Sequence, residues 1–209
     1  MEIVQLIIYG IVLGSIISLG AIGVSLIFGI LRFAHFAHGD MMTLGAYFAL
    51  VGVVGLNMPM LAVFPLALAA TASVSAGLDK IIYRNLRHSS PIIMLISSVG
   101  TALMLRSLIQ IIWGPDNQIY QAGIAIPYTF WGLRIKPDQL TIVFGALILM
   151  VLLHLFLHRT KMGKAMRAMS DNMDLARISG INTERVIFWT WVLAACMAAA
   201  AGIFLGMDT

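Results

Sequence analysis

The sequence predicts an all-α fold: a polytopic integral membrane helix bundle of about six transmembrane helices, with one longer helical segment on the cytoplasmic side. Three observations carry that expectation. Of the 209 residues, 60% are hydrophobic and 11% charged, with a mean hydropathy of +0.96. Soluble domains carry about 25% charged residues, and few hide this much apolar surface from water. Charge-free runs recur at spanning length, and the basic residues gather in alternate connections.

Residues 3–31 hold no charge. As helix they run roughly 43 Å, more than the ~30 Å hydrocarbon core, and predict a first span at 5–31. The opening "MEIVQLIIYG" has an acidic residue and no basic n-region, so it reads as the start of that span rather than a cleaved signal. Residues 41–78 are also free of charge, too long for one span. Asn57 and Pro59 in "GLNMPM" supply a turn, giving spans at 40–56 and 60–78. Residues 91–113 hold only Arg106, 139–158 only two histidines, and 186–206 no charge, which completes six spans. With the N-terminus outside, the inner segments hold Arg32, Lys80, Arg84, Arg87, Arg159, Lys161, Lys164, Arg167, Arg177 and Arg185; the outer ones hold Arg134 and Lys136. That asymmetry places 114–138 and the C-terminus outside. Trp113, Tyr120, Tyr128 and Trp131 in the outer connection suit an interfacial belt. One membrane domain, 1–209, is expected.

Small residues in the first span fall at Gly10, Gly14, Ser18, Ala21, Ser25 and Gly29, one helical face that suits close helix packing or lines a substrate path. Gly45, Ala49, Gly52 and Gly55 repeat the idea. The net charge of +4 is a topology signal here, and no basic soluble domain points to nucleic acid. The lone Cys196 forms no internal disulfide.

Between 161 and 186 the chain turns amphipathic. Ala165, Met166, Met169, Met173, Ala176 and Ile178 form an apolar side, and Lys164, Arg167, Asp171, Asp174 and Arg177 a polar one. Gly180 ends the helix as a C′ glycine, and Asn182 or Thr183 caps the next. Two readings stand on these residues alone: a docking element for a soluble partner, or a helix lying on the inner leaflet.

"MGKAMRAMSDNMDLARISGINTERV" resembles the cytoplasmic loop of LivH-type permease subunits of branched-chain amino acid ABC importers. It carries that loop's G-[RK]-A-x-R-A start (Gly163, Lys164, Ala165, Arg167, Ala168), its acidic–x–Ala stretch (Asp174 to Ala176) and its L-x-G-I-N ending, here Ile178 to Asn182. "LGSIISLGAIGVSLIFGILRFAHFAHGDMMTLGAY" is similar to the family's opening stretch, with His38-Gly39-Asp40 matching H-G-[ED]. His35 departs, standing where the family usually has Asn. The resemblance runs through nearly all of the chain.

What it implies is a permease subunit moving branched-chain or related amino acids inward by alternating access. Gly163, Lys164, Ala165, Arg167, Asp174, Ala176, Arg177, Gly180 and Ile181 would form the ATPase-coupling segment, about 160–185. The implied partners are cytoplasmic ATP-binding subunits, a second permease subunit (homo- or heterodimeric) and an extracytoplasmic substrate-binding protein, in the plasma membrane of a bacterium or archaeon (the inner membrane of a Gram-negative). No G-x-x-x-x-G-K-[ST] phosphate loop occurs, so ATP and Mg are expected on the partner ATPase, with no cofactor or enzyme activity on this chain. Urea or small amides are alternative substrates within the family. A self-sufficient channel or secondary transporter is the alternative class, against which counts the lack of span carboxylates other than Asp40 at a margin. Members usually continue with further spans, so a fragment, a shortened form or an inactive truncated subunit is a further reading.

Candidate pathway residues are His35, His38, Gly39, Asp40, Gly14, Ser18 and Arg106. Arg106 is the one formal charge inside a span and reads as an anchor or as a pathway group for a carboxylate. Ser97, Ser98 and Thr101 suit helix bonding. His154 and His158, without an intervening Glu, read as interfacial polar residues, and no metal site is assigned. His35, His38 and Asp40 within six residues leave a metal geometrically open, yet "RFAHFAHGD" reads as the turn between two spans, cytoplasmic or re-entrant.

Overall fold

The computed structural model describes residues 2–87, 89–116, 118–120, 128–130 and 133–208. Trp131, expected in the interfacial belt, lies outside the described residues. Five helices are long and apolar enough to cross a membrane. The first is α1, Glu2–Leu31. α3, Met60–Leu78, continues through a π-helical turn, Asp79–Tyr83, and the short α4, Arg84–Leu86. α5 is Pro91–Trp113, α6 Pro137–Arg159 and α9 Thr183–Asp208. Proline at the first helical turn of α5 and α6 costs no backbone bond there, and Gly114 at φ 85° ends α5.

The span expected at 40–56 differs. It is the shorter α2, His38–Leu50, closed by a π-helical turn at Val51–Gly55. His38, Gly39 and Asp40 occupy its first turn and dilute its apolar character, which is why it falls short of the other five. Asn57, at φ 52°, and Pro59 make the turn to α3, as their types suggest. The third span also runs past its expected end, because the wide π turn carries the helix on to Leu86. A two-stranded antiparallel ribbon, β1 Tyr128–Phe130 and β2 Leu133–Ile135, is the one pair of strands among the described residues.

α9 is the hub. It packs against α1, α2 and α3, and 72% of its most apolar window is buried, against 17–33% for the other spans. Its "AACMAAAAG" run explains this, since small side chains let neighbouring backbones approach closely. A Cβ on Gly45 of α2 would stand 2.5 Å from Ala199 Cα, and one on Gly202 of α9 would stand 1.9 Å from the Met42 carbonyl oxygen. The expected small-residue face of α1 does not take part. Gly10, Gly14, Ser18, Ala21 and Ser25 are exposed, while Val12, Ile16, Leu19 and Ile27 turn inward. The small residues of α1 that do face inward are Gly20 and Gly23, beside this apolar set.

The amphipathic segment between α6 and α9 is two helices rather than one: α7, Lys161–Asp171, and α8, Met173–Ile178. Asn172 breaks them, leaving helical backbone to cap α8 by accepting from the Leu175 amide at 2.9 Å. Thr160 caps α7 through the Gly163 amide. Gly180 adopts φ 85° and closes α8, with the Ile181 amide donating to the Ala176 carbonyl. Asn182 caps α9 through the Arg185 amide.

Candidate functional site

Of the candidate pathway residues, His35, His38, Gly39 and Asp40 lie at the junction of α1 and α2. Arg32, at φ 58°, turns the chain at the end of α1, and α2 begins six residues on. The segment between does not stay at the inner edge. The Phe36 amide donates to Ser98 Oγ (3.2 Å), and Ser98 Oγ donates to the Ala34 carbonyl (3.3 Å). Ser98 lies about 10 Å along α5 from its start at Pro91. The His38 ring meets α1 at Gly23, where a Cβ would come within 2.6 Å, and Gly23 lies about 12 Å back from Leu31. α2 therefore starts inside the bundle, part-way along α1 and α5.

His35 is buried (3% exposed) against Tyr83 and Trp191, with ring centroids 5.3 and 5.0 Å away. Neither of its ring nitrogens has a hydrogen-bond partner among the described residues. His38 stands edge-on to it at 6.4 Å. Asp40 points elsewhere, accepting from Arg106 Nε at 3.2 Å, so the three candidate ligands do not converge. Among the described residues no three His, Cys, Asp or Glu side chains group as a metal site would need. His154 and His158 stack on the exposed flank of α6.

Above Asp40, the free face of α2 lines a groove of about 500 Å³. Gly39, Thr43 and Tyr47 form one wall, Gly202 and Leu205 of α9 the other, and Tyr120 roofs it. Tyr120 is set by packing: its hydroxyl donates to the Ala46 carbonyl (2.9 Å), and its ring covers Gly206, where a Cβ would come within 2.7 Å. Burial pushes its phenol pKa up. Gly39, Asp40 and Arg106 thus come together. Gly14 and Ser18 do not, since they sit on the exposed side of α1, where the Ser18 hydroxyl donates to the Gly14 carbonyl.

The coupling candidates divide by burial. Gly163 lies under the end of α6, a Cβ there falling 2.4 Å from the Leu157 carbonyl oxygen, so only glycine lets α7 fold back. Ala176 is buried, and Ala165 and Ile181 half-buried. Lys164, Arg167, Asp174, Arg177 and Gly180 are exposed. Met166 and Met169 enter the core as the apolar spacing suggests. Met173 and Ile178 do not: the break at Asn172 rotates α8, leaving them exposed beside Leu175. Arg32 donates to the Ser170 carbonyl, tying α7 to the junction of α1 and α2.

One cluster escaped sequence reasoning. Arg87 donates to both oxygens of Asp79 (2.8 and 2.6 Å) and to Glu184 at 2.7 Å, and Arg84 pairs with Glu184 at 3.5 Å. It pins the inner end of α3–α4 to the start of α9. Arg87 and Glu184 are 97 positions apart, so no local sequence pattern signals the cluster.

Residues 6–209 match the family model described as "Branched-chain amino acid transport system / permease component". The chain is 29% identical to the high-affinity branched-chain amino acid transport system permease protein BraD of Pseudomonas aeruginosa, over 98% of this chain and 71% of that one. It is 30% identical to the permease protein LivH of Escherichia coli K12, over 94% of this chain and 68% of that one. A probable LivH of Methanocaldococcus jannaschii is 26% identical over 92% and 62%. No solved structure matches significantly. A bundle of apolar helices around α9, with these relatives along almost its full length, belongs to the family of permease components of branched-chain amino acid transport systems.

Proposed function

We propose that this chain is the membrane-spanning permease subunit of an ATP-binding-cassette importer for branched-chain or related amino acids. ATP and Mg belong to a separate cytoplasmic ATPase, and a second permease subunit and an extracytoplasmic binding protein complete the system. The observation that carries this reading is the exposed α7–α8 element, built on the hub helix α9 through one glycine turn. Met173, Leu175 and Ile178 are exposed on α8 interleaved with Asp174 and Arg177, and Arg167 and Asp171 are exposed on α7. Exposed apolar side chains among charged ones suit a groove on a soluble partner.

Two routes carry movement of that element inward. Gly180 hands α8 directly to α9, which packs on α1, α2 and α3. Arg32 hands α7 to the α1–α2 junction, where α2 and its groove begin. Closure of the ATPase would thus bias two packings of the bundle, the physical content of alternating access. Gly180→Leu places a side chain at a positive φ, and Asp174→Arg reverses a rim charge. Each is expected to abolish co-purification of the ATPase while leaving membrane insertion intact. Unchanged co-purification with either variant defeats the assignment and favours α7–α8 as a helix pair resting on the inner leaflet.

A further inference from the structure

A second cavity lies at the basic end of the bundle, where α1 and α4 stop and α7 folds back. It measures about 200 Å³, room for a lipid headgroup rather than for a drug-sized molecule, whose sites run ~300–1,000 Å³. Met94, Met169 and Ile187 line it from buried positions, and Arg32 and Met173 from exposed ones, so it opens to the surface beside Arg32. Arg87 lines it too, which brings two arginines from separate elements into one apolar recess. Neither has used all its donors. Arg32 makes one bond, to the neutral Ser170 carbonyl, and meets no carboxylate among the described residues. Arg87 commits both Nη atoms to Asp79 and Glu184, while its Nε is buried with no partner among the described residues. A buried donor without an acceptor is destabilising. Arg32, Arg84 and Arg87 are set against Asp79 and Glu184 here, which leaves one positive charge over. Arg32 also sits at φ 58°, a conformation that glycine or asparagine adopts more readily, and such outliers gather at functional sites.

We infer that this recess binds the phosphate of an anionic phospholipid, held by the unused donors of Arg32 and Arg87, with the glycerol end against Met94, Met169 and Met173. Three features choose that ligand. Guanidinium groups grip phosphate oxygens in a fork. The recess stands level with the ends of membrane-crossing helices, where headgroups lie, and basic pockets between such helices take anionic heads. The surplus charge is neutralised by a head such as phosphatidylglycerol, whereas the cation of a zwitterionic head would meet Arg32. Because the lining comes from α1, α5, α7, α8 and α9, a lipid seated there braces the base of the bundle.

The test titrates the full 209-residue chain in neutral detergent with dioctanoyl phosphatidylglycerol, dioctanoyl phosphatidylcholine or inorganic phosphate, and counts bound ligand by native mass spectrometry. Wild type is expected to hold phosphatidylglycerol about tenfold or more tightly than phosphatidylcholine, the worth of one charged hydrogen bond, and to hold inorganic phosphate no better than phosphatidylcholine. Arg32→Gly removes the guanidinium yet suits a backbone at φ 58°, so it should fold and bring the two lipids within about twofold. Arg32→Asn should do the same and takes its place if the glycine variant unfolds. Lys80→Gln removes an exposed cation outside the recess and should leave the preference intact. Equal binding of the two lipids by wild type, or a preference that survives loss of the Arg32 guanidinium, overturns the site. So does an equal loss in Lys80→Gln, which would trace the preference to diffuse surface charge. Inorganic phosphate bound as tightly as phosphatidylglycerol overturns the lipid as its occupant.

Discussion

Gly202→Ala tests the packing on which the whole bundle turns. The new Cβ would lie 1.9 Å from the Met42 carbonyl oxygen and 2.6 Å from its carbon. Ordinary C···O contacts start near 3.3 Å, so α2 and α9 must separate by about 1.4 Å. They cannot do so by rotating a side chain, because the obstacle is backbone. Nor can they tilt about the neighbouring turn, since Gly45 already lies against Ala199, with 2.5 Å between an added Cβ and Ala199 Cα. Overpacking costs ~1–3 kcal/mol where side chains can yield, so about 3 kcal/mol is the expectation here, on the order of a hundredfold in the folded population. Thermal or SDS unfolding of the purified chain in mild detergent, followed by circular dichroism, reads this directly. Gly100→Ala and Gly14→Ala, where an added Cβ meets nothing within 4 Å, serve as controls and should unfold with wild type. Equal stability of Gly202→Ala and its controls would refute the α2–α9 interface described above.

Two further perturbations test the inner and outer ends. Arg87→Gln leaves Asp79, 9% exposed, without its cation and should cost about 3–5 kcal/mol, whereas Arg84→Gln, half exposed, should cost under ~1 kcal/mol in the same unfolding assay. Tyr120 carries a buried neutral phenol whose folded pKa is raised, so its contribution is fully present below about pH 10 and lost as pH rises through the folded value. Alkaline loss of stability should therefore be smaller in Tyr120→Phe, and identical alkaline profiles would contradict the buried setting of that ring.

Much of the membrane architecture was legible because it depends on local composition. Charge-free runs located the spans, and the turn at Asn57 and Pro59 and the positive φ at Gly180 followed from residue type. Three features were not legible, each for a physical reason. The face of α1 that packs is chosen by α9, whose alanine run accepts Ile16 and Leu19; smallness at Gly14 and Ser18 says nothing about which neighbour is present. The depth of the α1–α2 junction depends on Ser98, more than sixty positions away, which bonds Ala34 and Phe36. The rotation of α8 follows from one capping bond at Asn172, which an apolar-periodicity argument over 161–178 averages away. Of the candidate pathway residues, the pairing of Asp40 with Arg106 is not visible either, since the two stand 66 positions apart on different helices.

The most direct measurement is uptake of radiolabelled L-leucine into vesicles that hold the permease with its ATPase and a binding protein. The account predicts accumulation that requires ATP and the ATPase and that disappears with Gly180→Leu. Leucine flux that persists without ATP, or without the ATPase, would contradict it and make the bundle a self-sufficient channel.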